Sequence, residues 1–473
     1  MRRGLGIVAF AVLLVGLPAS WPAAGAAGST ATAAAEGRHT YAGTIDGAAF
    51  RVETPEHWNG TLVLYSHGYY PPGFQVPGIP VTNRPETAAW LLEHGYALAA
   101  SEFTGRTGYL VEQGLHDQIA LLDWFAEHVG QPQRTVALGQ SQGGAIAHLL
   151  AERNPGRFAG VATVCAAPDP GGTWNAILDI NFAVKTLLAP GQDIDLVHPR
   201  DPAGSTLALA QAVQRAVTTP QGRARLALTA AFNNVQGWYS ALQPRPVDLT
   251  EQIRQQAAWI QNAYIFGLGP VARADLESKA GGNPSFNVGI DYRRQLARSS
   301  HQHKQLVHQA YRAAGLDLGA DLDQLAAAPR ISADPAAVAY LRRFGIPRGT
   351  TPVPVITLHS TGDGGAVTDQ ERWFAQQVRR HGDPSRLRQL FVERGQHCST
   401  SAAEEILSLQ ALVHRIDTGR WPGLSPRRLN AAAAAFGPTY QLVTDLGSFP
   451  LNEGPMPPAF TRFTPPRPQR PSS

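Results

Sequence analysis

The chain of 473 residues holds only two cysteines, Cys165 and Cys398, two methionines and three lysines, and only 16% of its residues are charged. Arginine is preferred so strongly over lysine that the pI reaches about 9.1, yet the formal charge is only +4. Arg2 and Arg3 account for two of those charges and stand in an N-terminal segment of export type, which leaves about +2 for the rest. So weak a balance excludes a strong pull toward nucleic acid or an anionic membrane surface. Basic residues are not interleaved with aromatics as a nucleic-acid surface would need. Gly139 to Gly143 lacks the lysine and the spacing of a phosphate loop, and Gly362 to Gly365 is no dinucleotide fingerprint. His301, His303 and His308 lack a clustered acidic partner and read as a solvated helix surface. No metal and no cofactor are therefore expected. Internal repeats are absent. The apolar run Leu5 to Leu17 is too short for a comfortable bilayer span, so no stable membrane span is expected in the mature protein.

What is present begins with export. Met1-Arg2-Arg3 is a basic start, Leu5 to Leu17 an apolar segment, and Ala23, Ala24, Ala26 and Ala27 offer small-residue cleavage sites. Residues 1–27 are expected to be a signal peptide and 28–38 a disordered Ala-rich linker, with the protein secreted or periplasmic. Two cysteines in an exported protein are expected to be joined, although sequence alone leaves their geometry open.

From Tyr41 onward strands and helices alternate. Tyr41–Val52 reads as an edge strand or hairpin, and Thr61–Ser66 as a compact buried strand. Arg84–His94 and Gly114–His128 are helical, and Tyr96–Ser101 and Phe158–Ala166 are strands. This spacing predicts an α/β fold with a mostly parallel sheet covered on both faces. Residues 39–170 form its first part. From 171 to 349 the pattern turns helical and reads as an inserted cap, whose apolar faces need a surface to bury against. Strand character returns at Val353–His359 and Leu387–Val392, so 350–422 completes the core. The last segment, 423–473, ends in a proline-rich stretch expected to lie extended on the surface or loose.

Thr135–Leu150 is the organising stretch. An apolar strand runs into Gly139-Gln140-Ser141-Gln142-Gly143 and continues as a helix. Gly-x-Ser-x-Gly recurs by chance; the strand before it and the helix after it make it a strand-turn-helix elbow with Ser141 at the apex. A large residue at 139 or 143 would collide with the neighbouring strand or helix. Asp363 and His397 also follow predicted strands, so the three residues share one edge of a parallel sheet, where such folds bind ligands. A serine needs a base, and a carboxylate can hold that base in the right tautomer. Ser141, Asp363 and His397 are thus the catalytic candidates; Asp369 lies farther into the next helix. Oxyanion donors are expected from the backbone N–H groups of Gln142 and Tyr69. His67 is read as shaping its turn, and Tyr70 as a phenolic donor or a pocket wall.

The elbow, His67-Gly68-Tyr69, the Thr357-Leu358-His359 to Asp363 segment and Gly395-Gln396-His397 resemble the α/β-hydrolase superfamily over about Tyr41–Thr418. Pro55–Gly68 is similar to secreted bacterial hydrolases of the esterase and amidase kind. Tyr69-Tyr70 replaces the glycine-rich oxyanion turn of some lipases. The cysteine that precedes the serine in tannase- and feruloyl-esterase-like enzymes is Gln140 here; Cys165 ends the following strand instead, and a Cys165–Cys398 bridge would tie the cap entrance to the histidine loop. The resemblance implies an acyl-enzyme route. The expected activity is cleavage of a carboxylic ester in a small-molecule or polymeric substrate. An amidase or peptidase, an acyltransferase and a noncatalytic binding protein on the same scaffold are the alternatives. Trp174, Phe182, Trp238, Tyr239, Trp259, Tyr264 and Phe266 are candidates for the acyl pocket or for the cap core. The oligomeric state is not legible.

Overall fold

The computed structural model describes residues 32–33, 37–76, 78–350, 352–447 and 451–470. The expected signal peptide lies outside the described residues. The first strands are β1 (Thr32–Ala33), β2 (His39–Ile45), β3 (Ala48–Thr54), β4 (Thr61–Ser66) and β5 (Ala97–Ser101). They are followed by β6 (Arg134–Gln140), β7 (Gly160–Val164), β8 (Val355–Gly362) and β9 (Leu387–Gly395), with β10 (Leu442–Asp445), β11 (Asn452–Pro455) and β12 (Phe460–Thr461) near the end. Ten of them form one sheet in the order β1-β2-β3-β5-β4-β6-β7-β8-β9-β12; β10 and β11 pair separately. Strands β5, β4, β6, β7, β8 and β9 run parallel, and both margins are antiparallel.

The central strands are buried on both faces, which is why they read as near-continuous apolar runs rather than alternating ones. Alternation still decides which layer each side chain enters. Leu62 and Leu64 pack with α2 (Val111–His128) and α3 (Gln142–Arg153), whereas Val63 and Tyr65 pack with α1 (Pro85–Glu93) and α14 (Ala402–Thr418). The residues of β2 and β3 that the sequence left as an edge strand or hairpin form a hairpin closed by Ile45 and Ala48.

Between β7 and β8 the chain leaves the sheet for a block of helices. These are α4 (Pro170–Leu188), α5 (Pro202–Val217), α6 (Pro220–Ala231), α7 (Leu249–Trp259), α8 (Pro270–Ala280), α9 (Tyr292–Arg298), α10 (His301–Ala314), α11 (Leu318–Ala327) and α12 (Pro335–Phe344). Helix α7 runs on as a wider π-helical segment, Ile260–Gly267. Starts are marked by local chemistry: Asp169, Asp201, Thr219 and Asp248 each accept a first-turn N–H, and proline opens α4, α5 and α6. The buried cap residues join the apolar cluster that covers α2 and α3. The cap thus buries its apolar faces on the core. After β8 come α13 (Asp369–His381), then α14 and α15 (Pro426–Ala434).

Two expectations need correction and a third is narrowed to one of its alternatives. Thr32–Ala33, placed in a disordered linker, pairs with β2 through Thr32–Thr40 and Ala33–His39. His303, read as solvated, is buried: its Nδ1 lies 2.7 Å from Ser300 Oγ and its Nε2 2.8 Å from the Val235 carbonyl. A helix-surface reading failed because the neighbouring α6–α7 segment covers that face. The proline-rich end is not loose. It adds β12 to β9, and its Arg470 is buried in an ion pair with Asp179 of the cap while Nη2 donates to the Phe286 carbonyl at 2.6 Å. Asp179 is a buried carboxyl; burial raises its pKa, and the Arg470 cation from outside the cap opposes that rise.

Candidate active site

Ser141 caps the N-terminus of α3 at φ 52° and ψ −120°, a backbone conformation that a non-glycine residue holds only under constraint from its surroundings. The constraint is visible. Its N–H donates to the Val164 carbonyl at 3.0 Å, and its own carbonyl accepts from Gly144 at 2.9 Å. A Cβ on Gly139 would come within 2.1 Å of the Gly143 carbonyl oxygen, and one on Gly143 within 2.0 Å of the Ser66 carbonyl oxygen. Only glycine lets β4, β6 and α3 approach this closely, so the turn pushes Ser141 Oγ out beyond the sheet.

His397 Nε2 lies 2.9 Å from Ser141 Oγ, and His397 Nδ1 lies 2.6 Å from Asp363 Oδ2. Three residues contributed by the ends of β6, β8 and β9 therefore form one hydrogen-bonded chain. Asp363 is fully buried, and its Oδ1 accepts from the N–H groups of Gly365 at 2.8 Å and Ala366 at 3.0 Å. Burial alone would raise its pKa; His397 and His359 beside it outweigh that and hold the carboxyl below its usual value. Asp369 is buried one helix start away, and burial pushes its carboxyl up to about 8. Asp363, not Asp369, is the carboxylate hydrogen-bonded to His397.

The histidine loop is fastened at its base. Cys165, one residue past β7, is joined to Cys398, next to His397, with 5.2 Å between their Cα atoms. Both cysteines, like Gln396 and Ser141, sit at positive φ. Strained backbone thus gathers around one sheet edge. Gln396 adds a further tie: its side chain donates to the Tyr239 carbonyl at 2.8 Å and accepts from the His397 N–H at 2.9 Å.

The turn after β4 passes against the elbow. A Cβ on Gly68 would stand 3.3 Å from Ser141 Cβ, which brings the following residue, Tyr69, to the same edge. Gln142 is the first residue of α3, where the N–H has no intrahelical partner and the helix dipole favours negative charge. His67 stacks between Phe103 at 4.2 Å and Tyr70 at 4.9 Å, and its Nε2 lies 3.2 Å from the Glu102 carbonyl. Its Nδ1 lies 2.7 Å from the Gly68 carbonyl; burial lowers its pKa, and the two carbonyl contacts oppose that. Tyr70 stacks on Phe74 and lines the wider cavity described below rather than donating to the narrow one.

Ser141 and His397 lie between two cavities. One, of about 220 Å³, is walled by Tyr69, Tyr109, Val111, Trp174, Trp259 and Leu268. The other, of about 630 Å³, opens between Tyr70, Phe74, Asn83, Arg84 and Leu446. Of the seven aromatic candidates, Trp174 and Trp259 line the first cavity. Phe182 stacks on Tyr292 in the cap core, and Tyr264 donates to the Gly364 carbonyl at 2.7 Å, under the Asp363 turn. Sequence reasoning missed Tyr109, Val111 and Leu268. They flank α2 and the π-helical segment, and no local pattern distinguishes them from ordinary core residues.

A family model described as "alpha/beta hydrolase fold" matches residues 76–235. The chain is 28% identical over 422 residues to an o-phthalyl amidase from Xanthobacter agilis, covering 82% of this chain and 90% of that protein. Among solved structures, it is similar to an esterase from Aspergillus oryzae at 14% identity and a TM-score of 0.38, over 81% of this chain and 80% of that one. A proline iminopeptidase from Mycobacterium smegmatis matches at 13% identity and a TM-score of 0.37, over 84% of this chain and 100% of that one. With its six-stranded parallel core, its serine elbow and the helices inserted between β7 and β8, the chain has the α/β-hydrolase fold and carries a helical cap.

Proposed function

We propose that this protein is a serine-dependent amidase that takes a compact apolar or aromatic acyl group through an acyl-enzyme intermediate. The observation that carries the reading is the continuous chain Ser141 Oγ, His397, Asp363 at the edge of an apolar cavity. Ser141 Oγ attacks the acyl carbon and its proton passes to His397 Nε2. Asp363 keeps the Nδ1 proton in place and stabilises the imidazolium. The N–H groups of Gln142 and Tyr69 receive the developing oxyanion. His397 then delivers its proton to the leaving nitrogen, which departs through the wider cavity. Water, activated by the same histidine, releases the acid.

The choice of amide over ester is supported by the relative from Xanthobacter agilis, an o-phthalyl amidase similar over most of both chains. The acyl side fits: the walls are two tryptophans, two tyrosines and aliphatic residues, with room for about one substituted ring. Ester cleavage is the second reading, because the same residues serve an oxygen leaving group. Export to an oxidising compartment is part of the proposal, supported by the N-terminal sequence and by the Cys165–Cys398 bond.

The test is hydrolysis of matched anilides and esters of benzoic, phthalic and short aliphatic acids, beside Ser141→Ala. Anilide cleavage that disappears in the variant supports the amidase. Cleavage of esters alone shifts the assignment to the second reading. Absence of Ser141-dependent turnover, together with failure of a fluorophosphonate to label Ser141, removes the serine-hydrolase reading.

A further inference from the structure

His359 stands on β8, four residues before Asp363, and is fully buried. Its Nδ1 is 3.1 Å from Glu371 Oε1, and its Nε2 is 2.8 Å from the Ala366 carbonyl oxygen. A carboxylate and a carbonyl only accept, so each ring nitrogen carries a proton and the ring is an imidazolium. Nε2 also lies 3.4 Å from Asp363 Oδ2, the oxygen that accepts from His397 Nδ1. Glu371 is anchored in turn: Thr357 Oγ1 donates to it at 2.6 Å and Gln389 Nε2 at 2.5 Å. Two imidazole rings thus face one oxygen of Asp363, one from β8 and one from the loop after β9.

We propose that His359 is a positioning residue for the Ser141 chemistry: an imidazolium locked between Glu371 and Asp363 that fixes the carboxylate behind His397 and offsets part of its negative charge. The inference rests on the assignment of Ser141, His397 and Asp363 given above. Burial opposes charging His359, but Asp363 and Glu371 outweigh it and raise its pKa to about 10. Glu371 is held below its usual value by the same contact, against its own burial. The other titratable groups that face the cluster add no competing cation. His148 on α3, near Glu371, is driven down to about 4 by burial and is neutral. Tyr264 of the cap is kept protonated by burial. On α13 the Asp369 carboxyl, beside Asp169, is pushed up to about 8 by burial. Without His359, Asp363 would face His397 with its full charge and with one side unsupported.

The test is the rate at which an alkyl fluorophosphonate labels Ser141, measured as a function of pH. In His359→Gln the surroundings of His397 become more negative, so the acid limb of the profile is expected to move up by about one pH unit. The maximal rate falls on the order of tenfold as Asp363 loses its support, with the reagent's binding constant unchanged. The double variant His359→Gln/Glu371→Gln removes a cation and an anion together and leaves neither buried without its partner. Its acid limb is expected between those of the single variant and the wild type, with the maximal rate still reduced. A folded single variant with the wild-type limb and rate overturns the inference. Should the single variant not fold, a double variant with the wild-type limb and rate overturns it equally. Wild-type protein that is not labelled at Ser141 instead removes the serine assignment underneath, so the two failures are told apart.

Discussion

The sheet edge and the cap face each other across the same cavity and are ordered by opposite means. The edge is polar and strained: Ser141, Cys165, Gln396 and Cys398 hold positive φ there, and the buried carboxylates of Asp363 and Glu371 accept from fixed donors with His359 lying between them. The cap wall is apolar, with Trp174 presented from α4 and Trp259 from the end of α7, where the helix widens into its π-helical segment. Trp174 is pinned from behind by the buried Arg273, which donates to its carbonyl at 3.1 Å and lies 4.9 Å over its ring. Under the proposed function, the difference separates two tasks. Proton transfer tolerates little displacement, so its groups are overdetermined by backbone and hydrogen bonds. Apolar volume is set by shape, and shape changes cost selectivity before they cost chemistry.

That division can be broken at the edge first. Ser141→Ala is expected to cut turnover by about 10⁵-fold or more, with thermal unfolding unchanged; retained activity would move the nucleophile elsewhere. Asp363→Asn should leave fold and substrate affinity in place while lowering kcat about 10⁴-fold, because His397 loses the acceptor that fixes its tautomer. The double variant Cys165→Ala/Cys398→Ala tests the fastening of the histidine loop. Unfolding in denaturant should show a loss of about 2–4 kcal/mol, and activity should fall with it; unchanged activity would make the bond purely a matter of stability.

On the cap side the expected effects are smaller and of another kind. Trp174→Ala should lower kcat/KM for benzoyl substrates about tenfold, favour bulkier acyl groups, and leave phosphonate labelling of Ser141 intact. Equal losses for every acyl group would place Trp174 with the chemistry rather than with selectivity. The smallest effect concerns pH. His359 is raised from about 6.5 to about 10 on folding, so its contribution to stability is complete below the first value and lost as pH climbs through the second. Asp363 and Glu371 are depressed, so theirs is present above their unfolded values of 3.8 and 4.5 and is lost on acidification. The melting temperature should therefore decline between about pH 6.5 and about 10, and His359→Gln should flatten that decline.

Much of this was legible in the chain because it is encoded locally. The elbow is five consecutive residues between an apolar run and a helical pattern, and the collisions at Gly139 and Gly143 are what its glycines imply. Strands β4, β6 and β8 were readable because doubly buried strands are uniformly apolar. The short helices α9 and α11 lie inside the stretch 171–349 that reads as helical, but so few turns offer too little periodicity to mark their bounds. In the sequence His359 reads only as part of a strand, since nothing in the run Thr357-Leu358-His359 says that Glu371 will lie beside it.

By itself, the sequence determined the order of elements, the parallel sheet with its interruption, and the candidacy of Ser141, His397 and the carboxylates near 363. Each rests on periodicity or turn chemistry spread over a few residues. Only the tertiary structure decided that Asp363 and not Asp369 meets His397, that Cys165 reaches Cys398 across a separation of 233 residues, which aromatics face the cavity, and that Arg470 enters the cap to meet Asp179. These are contacts between segments far apart in the chain. Their partners are chosen by which surfaces packing brings together, and no local pattern carries that choice.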